Sequence, residues 1–197
     1  MALLPNLKDE KKAKEIWPQK KILLIAKIIP NLRDRTLFVL EYLTGGRVSE
    51  IVQRVQPTDF EVHAINNKKF LRVYNFYTAK NRKHPDRVLD IPIHKEGEFV
   101  DILQTYMQSL KPDDFVFAMT RQRAWQIISK ILLQYKPKST TNKFMNGNHF
   151  LRHCRNTHLY RIYGFDQYDL MKWNGWSSTA PADKYVHGED EFIKKMS

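Results

Sequence analysis

Tyr185, Arg47, Arg152 and His149 are the residues of this sequence whose types together suit attack on a phosphodiester. Such a displacement spreads negative charge over the equatorial phosphate oxygens, and the planar fork of arginine neutralises that charge without giving up its proton. A tyrosine has an ordinary pKa near 10, so about one in a thousand is ionised at neutral pH. Attack by tyrosine therefore needs proton removal or strongly cationic surroundings. His149 and the two arginines offer both.

Each of these residues also has a plainer reading. Arg47 and Glu50 are three apart and by themselves suit an i,i+3 ion pair. His149, His153 and His158, with Cys154, have spacings found on one helical face in zinc sites. Against zinc, Phe150 stands where a zincin helix carries its glutamate, and no CxxC occurs. Tyr160, Tyr163 and Tyr168 compete as nucleophiles, although their spacing suits a core face. Tyr185 instead follows the polar stretch Ser-Ser-Thr-Ala-Pro-Ala-Asp. There is no P-loop, Asp-x-Asp pair or Gly-x-Gly-x-x-Gly, so neither a metal site nor a cofactor is expected.

The elements that must position these residues can be read from the pattern. A chain of 197 residues, 42% hydrophobic, is the size of one domain with a substantial core. Its formal charge of +12 favours a polyanionic partner, nucleic acid first, although charge alone also fits an anionic membrane surface. The single Cys154 fits a reducing compartment, and no apolar run approaches a membrane span, so the expected location is the cytoplasm. Residues 1–17 read as a lysine-rich arm or linker, and the domain as 18–197. A helix begins near Pro18, and Leu37 to Leu43 lie in a second helical pattern. After Thr44-Gly45-Gly46, a short helix from Val48 to Arg54 places Arg47 at a helix start, where backbone N–H groups suit an anion. Between Phe60 and Ile93 the pattern alternates, as in antiparallel strands, with a basic hairpin tip from Thr78 to Arg87. Helices are expected at about 95–110, 120–135 and 149–163, the last capped by Gly164.

Three ordered motifs then carry a resemblance. Tyr42-Leu-Thr-Gly-Gly-Arg-Val-Ser-Glu resembles the first arginine box of the tyrosine recombinase and integrase family, with Arg47 as its arginine. His149-Phe-Leu-Arg-His-Cys-Arg-Asn-Thr-His-Leu resembles the second box, with Arg152 as its arginine. Asn174-Gly-Trp-Ser-Ser-Thr and Asp183-Lys-Tyr-Val-His resemble the final segment, in which Trp176 precedes Tyr185 by nine residues. The wording Tyr-Gly-Phe-Asp and Gly-Trp-Ser-Ser looks most like archaeal virus or plasmid integrases.

The resemblance implies an α+β fold, mainly helical with a small antiparallel sheet at one edge. It implies a DNA recombinase that works through a 3′-phosphotyrosine, with Tyr185 as nucleophile, Arg47, Arg152 and His149 at the phosphate, and Trp176 orienting it. Lys80 is the expected proton donor to the departing oxygen, and Lys83 its rival. Glu50 and His153 are expected to support the site. Arg82, Lys83, Arg87, Arg121 and Arg123 are expected to hold phosphates of double-stranded DNA. The expected assembly is a monomer in solution and a tetramer on paired DNA sites. The separate N-terminal helical domain that usually closes around DNA is not expected within this chain. Type IB topoisomerase-like relaxation and a noncatalytic DNA-binding module remain as alternatives.

Overall fold

The computed structural model describes residues 16–78, 86–135 and 149–186. Helix α1 (Gln19–Ile28) follows Pro18 and turns Ile22, Ile25 and Ala26 inward. Trp17, which the sequence leaves in the arm, is buried edge-on against Phe150 at 4.9 Å between ring centroids and belongs to the core.

Asn31 opens α2 (Leu32–Thr44) by accepting the Asp34 N–H, which starts the helix well before the apolar run at Leu37. Every residue from Thr36 to Thr44 is buried, so α2 runs through the middle of the molecule. The next helix, α3 (Val48–Ile51), is shorter than its sequence pattern. Gln53 adopts a left-handed φ of 54° and donates its N–H to the Phe117 carbonyl, which ends the helical path before Arg54.

Three antiparallel strands follow in the order β1 (Phe60–Ile65), β2 (Lys68–Tyr77) and β3 (Asp86–Pro92). Asn66 and Asn67 both take left-handed φ values, 49° and 61°, as a two-residue hairpin turn requires. Leu71 and Val73 on β2, paired with Ile91 and Leu89 on β3, present the buried face. A bulge between Val73 and Phe76, with Asn75 at φ 50°, re-aims the end of β2.

The remaining helices are α4 (Ile93–Met107), α5 (Arg121–Tyr135), α6 (His149–Tyr163), α7 (Gln167–Asn174) and the single turn α8 (Asp183–Val186). The first three correspond to the expected helices, and Gly164, at φ 73°, follows the end of α6 as expected. Neither α7 nor α8 stands out as an apolar run. Asp166 starts α7 by accepting the Tyr168 and Asp169 N–H groups, and Gly175 ends it at φ 62°. The sheet packs against α3 and α4, while α1, α4, α5 and α6 surround α2. The result is a mainly helical α+β domain with its sheet at one edge, as the sequence implies.

A buried ion pair ties α4 to α6. Arg155 bonds Glu96, which also accepts from the Tyr163 hydroxyl at 2.6 Å and the Gln19 amide at 3.0 Å. The guanidinium carbon lies 5.1–5.6 Å from the ring centroids of Trp173, Tyr163 and Tyr42. These neighbours compensate charges that burial would otherwise make costly.

Glu41, fully buried in α2, has no hydrogen-bond partner for either carboxylate oxygen among the described residues. Burial pushes its carboxyl well above the ordinary range. The folded protein therefore keeps Glu41 protonated where the unfolded chain ionises it, and stability is greatest below about pH 4.3 and falls as pH rises towards the raised folded value. Glu41→Gln, neutral throughout, should gain on the wild type as pH increases, by up to about 1.4 kcal/mol per pH unit. Urea unfolding at several pH values tests this, and parallel stability curves for the two proteins would contradict it.

Candidate active site

The site is assembled where the end of α2, α3, the start of α6 and the segment around α8 meet. Gly45 caps α2 in the left-handed region at φ 60°, turning the chain towards Arg47. At Gly46 an added Cβ would come within 2.6 Å of the Phe76 ring, so the β2 bulge and this glycine fit only together. Arg47 then caps α3. Its backbone N–H donates to Glu50 Oε2 at 2.9 Å and its Nη1 to Glu50 Oε1 at 2.7 Å. This corrects the reading of the α3 start as an open anion site, because Glu50 already takes the Arg47 N–H.

Glu50 is fully buried, and two further guanidinium groups face it: Arg152 Nη1 at 3.7 Å and Arg87 Nη2 at 3.8 Å. Burial pushes the Glu50 carboxyl up, but the Arg47 N–H and the charges of Arg87, Arg152 and Arg47 outweigh it, and the net shift is downward. Arg152 also donates through Nη1 to the Gly45 carbonyl at 2.8 Å, while its buried Nη2 has no hydrogen-bond partner among the described residues. Burial, with the nearby Arg47 charge, lowers Arg152 to about 10. It remains a cation at neutral pH, held with donor capacity to spare.

Arg87 is placed differently from its expected role on DNA. Its side chain is only 8% exposed and lies at the base of the hairpin, not on a free surface. Nη1 donates to Thr78 Oγ1 at 2.6 Å and to the Asn174 carbonyl at 2.8 Å, and the guanidinium lies over the Phe76 ring. Burial lowers it to about 10. Arg87 therefore joins β2, β3 and α7 beneath the site. The Trp173 indole N–H adds a bond to the Thr44 carbonyl at 3.0 Å, and Asn174 Nδ2 bonds Asn156 Oδ1 at 2.8 Å. At Gly175 an added Cβ would come within 2.5 Å of Thr78 Oγ1, so this contact too demands glycine.

A cavity of about 370 Å³ opens above this base, lined by Arg47, His149, Arg152, Trp176, Lys184 and Tyr185 among others. The Tyr185 ring is stacked on Trp176, 6.4 Å between centroids and 7° between planes, and tilted against His153 at 5.2 Å. Trp176 also lies 5.6 Å beneath the Arg152 guanidinium. Burial pushes the Tyr185 phenol up against the opposing pull of Asn156 and Arg152, so the resting side chain is protonated. The competing tyrosines are elsewhere. Tyr160 bonds the Val186 carbonyl, Tyr163 bonds Glu96, and Tyr168 is exposed on α7.

The histidines divide in the same way. His149 and His153 line the cavity, whereas His158 is bonded through Nδ1 to the Tyr42 hydroxyl at 2.8 Å and lowered by burial to about 4. The Cys154 thiol is buried and pushed up to about 12. Arg121 and Arg123 are exposed on α5 and do not line the cavity. Lys80, Arg82 and Lys83 lie outside the described residues. Sequence reasoning missed Thr78, Gly175 and Lys184 in the lining. Gly175 and Lys184 had a signal in their positions beside Trp176 and Tyr185.

A fold of this kind is also found in solved structures of site-specific recombinases. A post-cleavage complex of XerH site-specific recombinase with a palindromic difH substrate matches over 97% of this chain and 54% of its own, with a TM-score of 0.63 at 18% identity. XerA recombinase matches over 92% and 63%, with a TM-score of 0.61 at 18% identity. The chain belongs to the phage integrase family, whose pattern matches residues 18–191. Among curated relatives, the tyrosine recombinase XerD from two strains of Staphylococcus epidermidis is 26% and 28% identical over 98% of this chain. The chain spans 65% of the length of those relatives.

Glu50→Gln keeps the shape of the side chain and removes the countercharge from the buried guanidinium groups of Arg87 and Arg152 and the half-buried one of Arg47. It should lower stability by about 3–5 kcal/mol. The carboxyl is depressed in the folded state, so its contribution is present above about pH 4.3 and is lost as pH falls through the depressed value. Denaturant unfolding should therefore show a large gap between the two proteins at neutral pH that narrows in acid. A constant gap would contradict the account.

Proposed function

We propose that this chain cleaves and rejoins strands of double-stranded DNA in site-specific recombination. The observation that carries the reading is Tyr185 in a cavity with Arg47 and Arg152, the latter holding an Nη2 with no hydrogen-bond partner among the described residues. In the proposed step the Tyr185 hydroxyl oxygen bonds to phosphorus and the bond from phosphorus to the 5′-oxygen breaks. The phenol proton passes to a base, for which His149 is placed at the cavity, and the departing 5′-oxygen takes up a proton. Lys80 is our assignment for that donor, with Lys83 the rival. The resulting 3′-phosphotyrosine conserves the phosphoester bond, so reversal by a DNA hydroxyl reseals the strand without ATP.

Arg47 and Arg152 neutralise the charge that develops on the non-bridging oxygens. Trp176 and His153 fix the tyrosine ring, and Glu50 fixes the arginines. Arg82, Lys83, Arg121 and Arg123 are assigned to DNA phosphates outside the cavity, whereas Arg87 is assigned to support of the site. Strand exchange calls for several protomers, and a tetramer on paired sites, acting in the cytoplasm, is part of the proposal. Among the described residues no helix is long and apolar enough to cross a membrane. The narrower kinship with archaeal mobile-element integrases rests on two motif wordings, and the two curated relatives named above come from a bacterium, Staphylococcus epidermidis.

A nicked suicide duplex, in which a short fragment is lost after cleavage, should trap a covalent adduct with the wild type and none with Tyr185→Phe. An adduct with both proteins would show that another residue attacks. DNA binding without an adduct in either would favour a noncatalytic module. Exchange between two labelled duplexes separates recombination from simple relaxation.

A further inference from the structure

One cation in the cavity has no role in the motifs. Lys184 lines the same space as Arg47, Arg152 and Tyr185, immediately before the tyrosine on the single turn α8. Its ammonium lies 5.0 Å from the centroid of the Tyr185 ring. Although the residue is exposed, no carboxylate among the described residues forms an ion pair with it. The neighbouring charges do not balance it either. Three guanidinium groups share the single Glu50 carboxylate, so the site already carries surplus positive charge. Partial desolvation of its ammonium at the cavity, with the Arg152 charge, pulls Lys184 below its ordinary pKa. An anion entering the cavity would relieve that repulsion and hold the ammonium charged.

The position of Lys184 also distinguishes it from the arginines. Arg47 and Arg152 are tied to Glu50 and to the Gly45 carbonyl. Lys184 is on the same turn as the nucleophile and has a flexible stem with a compact charge at its end. A phosphate that becomes bonded to Tyr185 keeps this cation beside it.

We propose that Lys184 is a further catalytic residue: its ammonium joins Arg47 and Arg152 on the non-bridging oxygens of the phosphate that Tyr185 attacks, and stays with them in the phosphotyrosine. The inference rests on the strand-cleavage reading above. It assigns Lys184 charge stabilisation and no proton transfer.

The test compares wild type, Lys184→Met, Lys184→Arg and, as a control outside the cavity, Lys111→Met, at saturating suicide duplex. Lys184→Met should slow adduct formation at least tenfold while the DNA concentration for half-maximal rate changes less than threefold; Lys184→Arg should recover most of the rate, and Lys111→Met should match wild type. The same rates are then measured on a duplex with a methylphosphonate at the scissile position, which lacks one non-bridging charge. There the deficit of Lys184→Met should shrink to under threefold. An equal deficit on both duplexes, or none on the ordinary one, overturns the proposal. Calorimetric titration with tungstate gives a readout independent of cleavage: Lys184→Met should bind at least threefold more weakly than wild type, and equal binding counts against the assignment. If the wild type itself forms no adduct, the strand-cleavage reading is what fails, and the anion-holding part of the inference is decided by tungstate alone.

Discussion

A single buried carboxylate sets the geometry of this site. Glu50 takes the backbone N–H and the guanidinium of Arg47 and faces Arg152 and Arg87 within 4 Å. Three like charges brought this close would repel one another strongly in a poorly solvated space. One carboxylate offsets part of that repulsion and leaves a surplus of positive charge directed at the cavity. In the strand-cleavage reading proposed above, that surplus is the useful quantity, because a phosphate undergoing displacement would meet charges already in place and not charges that must reorganise.

Backbone contacts hold this arrangement from below. Gly46 admits the Phe76 ring, Gly175 admits Thr78, and Arg87 bonds both Thr78 and the Asn174 carbonyl. The hairpin base, the α2–α3 turn and the end of α7 thus meet with no room for an added methyl group at either glycine. Above them the aromatic stack of Tyr185 and Trp176, with His153 against the tyrosine, limits the directions in which the phenol can point. The Arg155–Glu96 pair anchors the same helix that carries His149 and Arg152, and side-chain carbons of both arginines lie within 4 Å of where a Cβ at Gly45 would be. Arg87 thus supplies both position and charge, whereas the glycines and the aromatic rings supply position alone.

Much of this was legible in the sequence because the relevant signals are local. The glycine pair before Arg47, the His-x-x-Arg spacing in α6 and the nine-residue offset of Trp176 from Tyr185 single out residues that line one cavity, without any tertiary information. Alternation between Phe60 and Ile93 was enough to place the sheet. Arg87 was misjudged because a basic residue near a hairpin tip looks solvent-facing, and only the fold brings Asn174 and Glu50 to it. The anion-binding helix start was likewise overread, since the sequence shows Glu50 three residues on but not that its carboxylate turns back onto the Arg47 N–H. Lys184 has only its place beside Tyr185 as a signal, because a single lysine there has no periodic signature. Short helices capped by Asp166 or following Pro181 carry too little apolar pattern to be seen beforehand.

The claim that most needs testing is that the cations gathered by Glu50 serve Tyr185 and no other nucleophile. The direct measurement is peptide mapping by mass spectrometry of the wild-type chain after reaction with a suicide duplex and nuclease digestion. The account predicts a nucleotide mass attached to the peptide containing Tyr185, with fragmentation placing it on the tyrosine. Attachment to Tyr160, Tyr163, Tyr168 or Ser177 would contradict it.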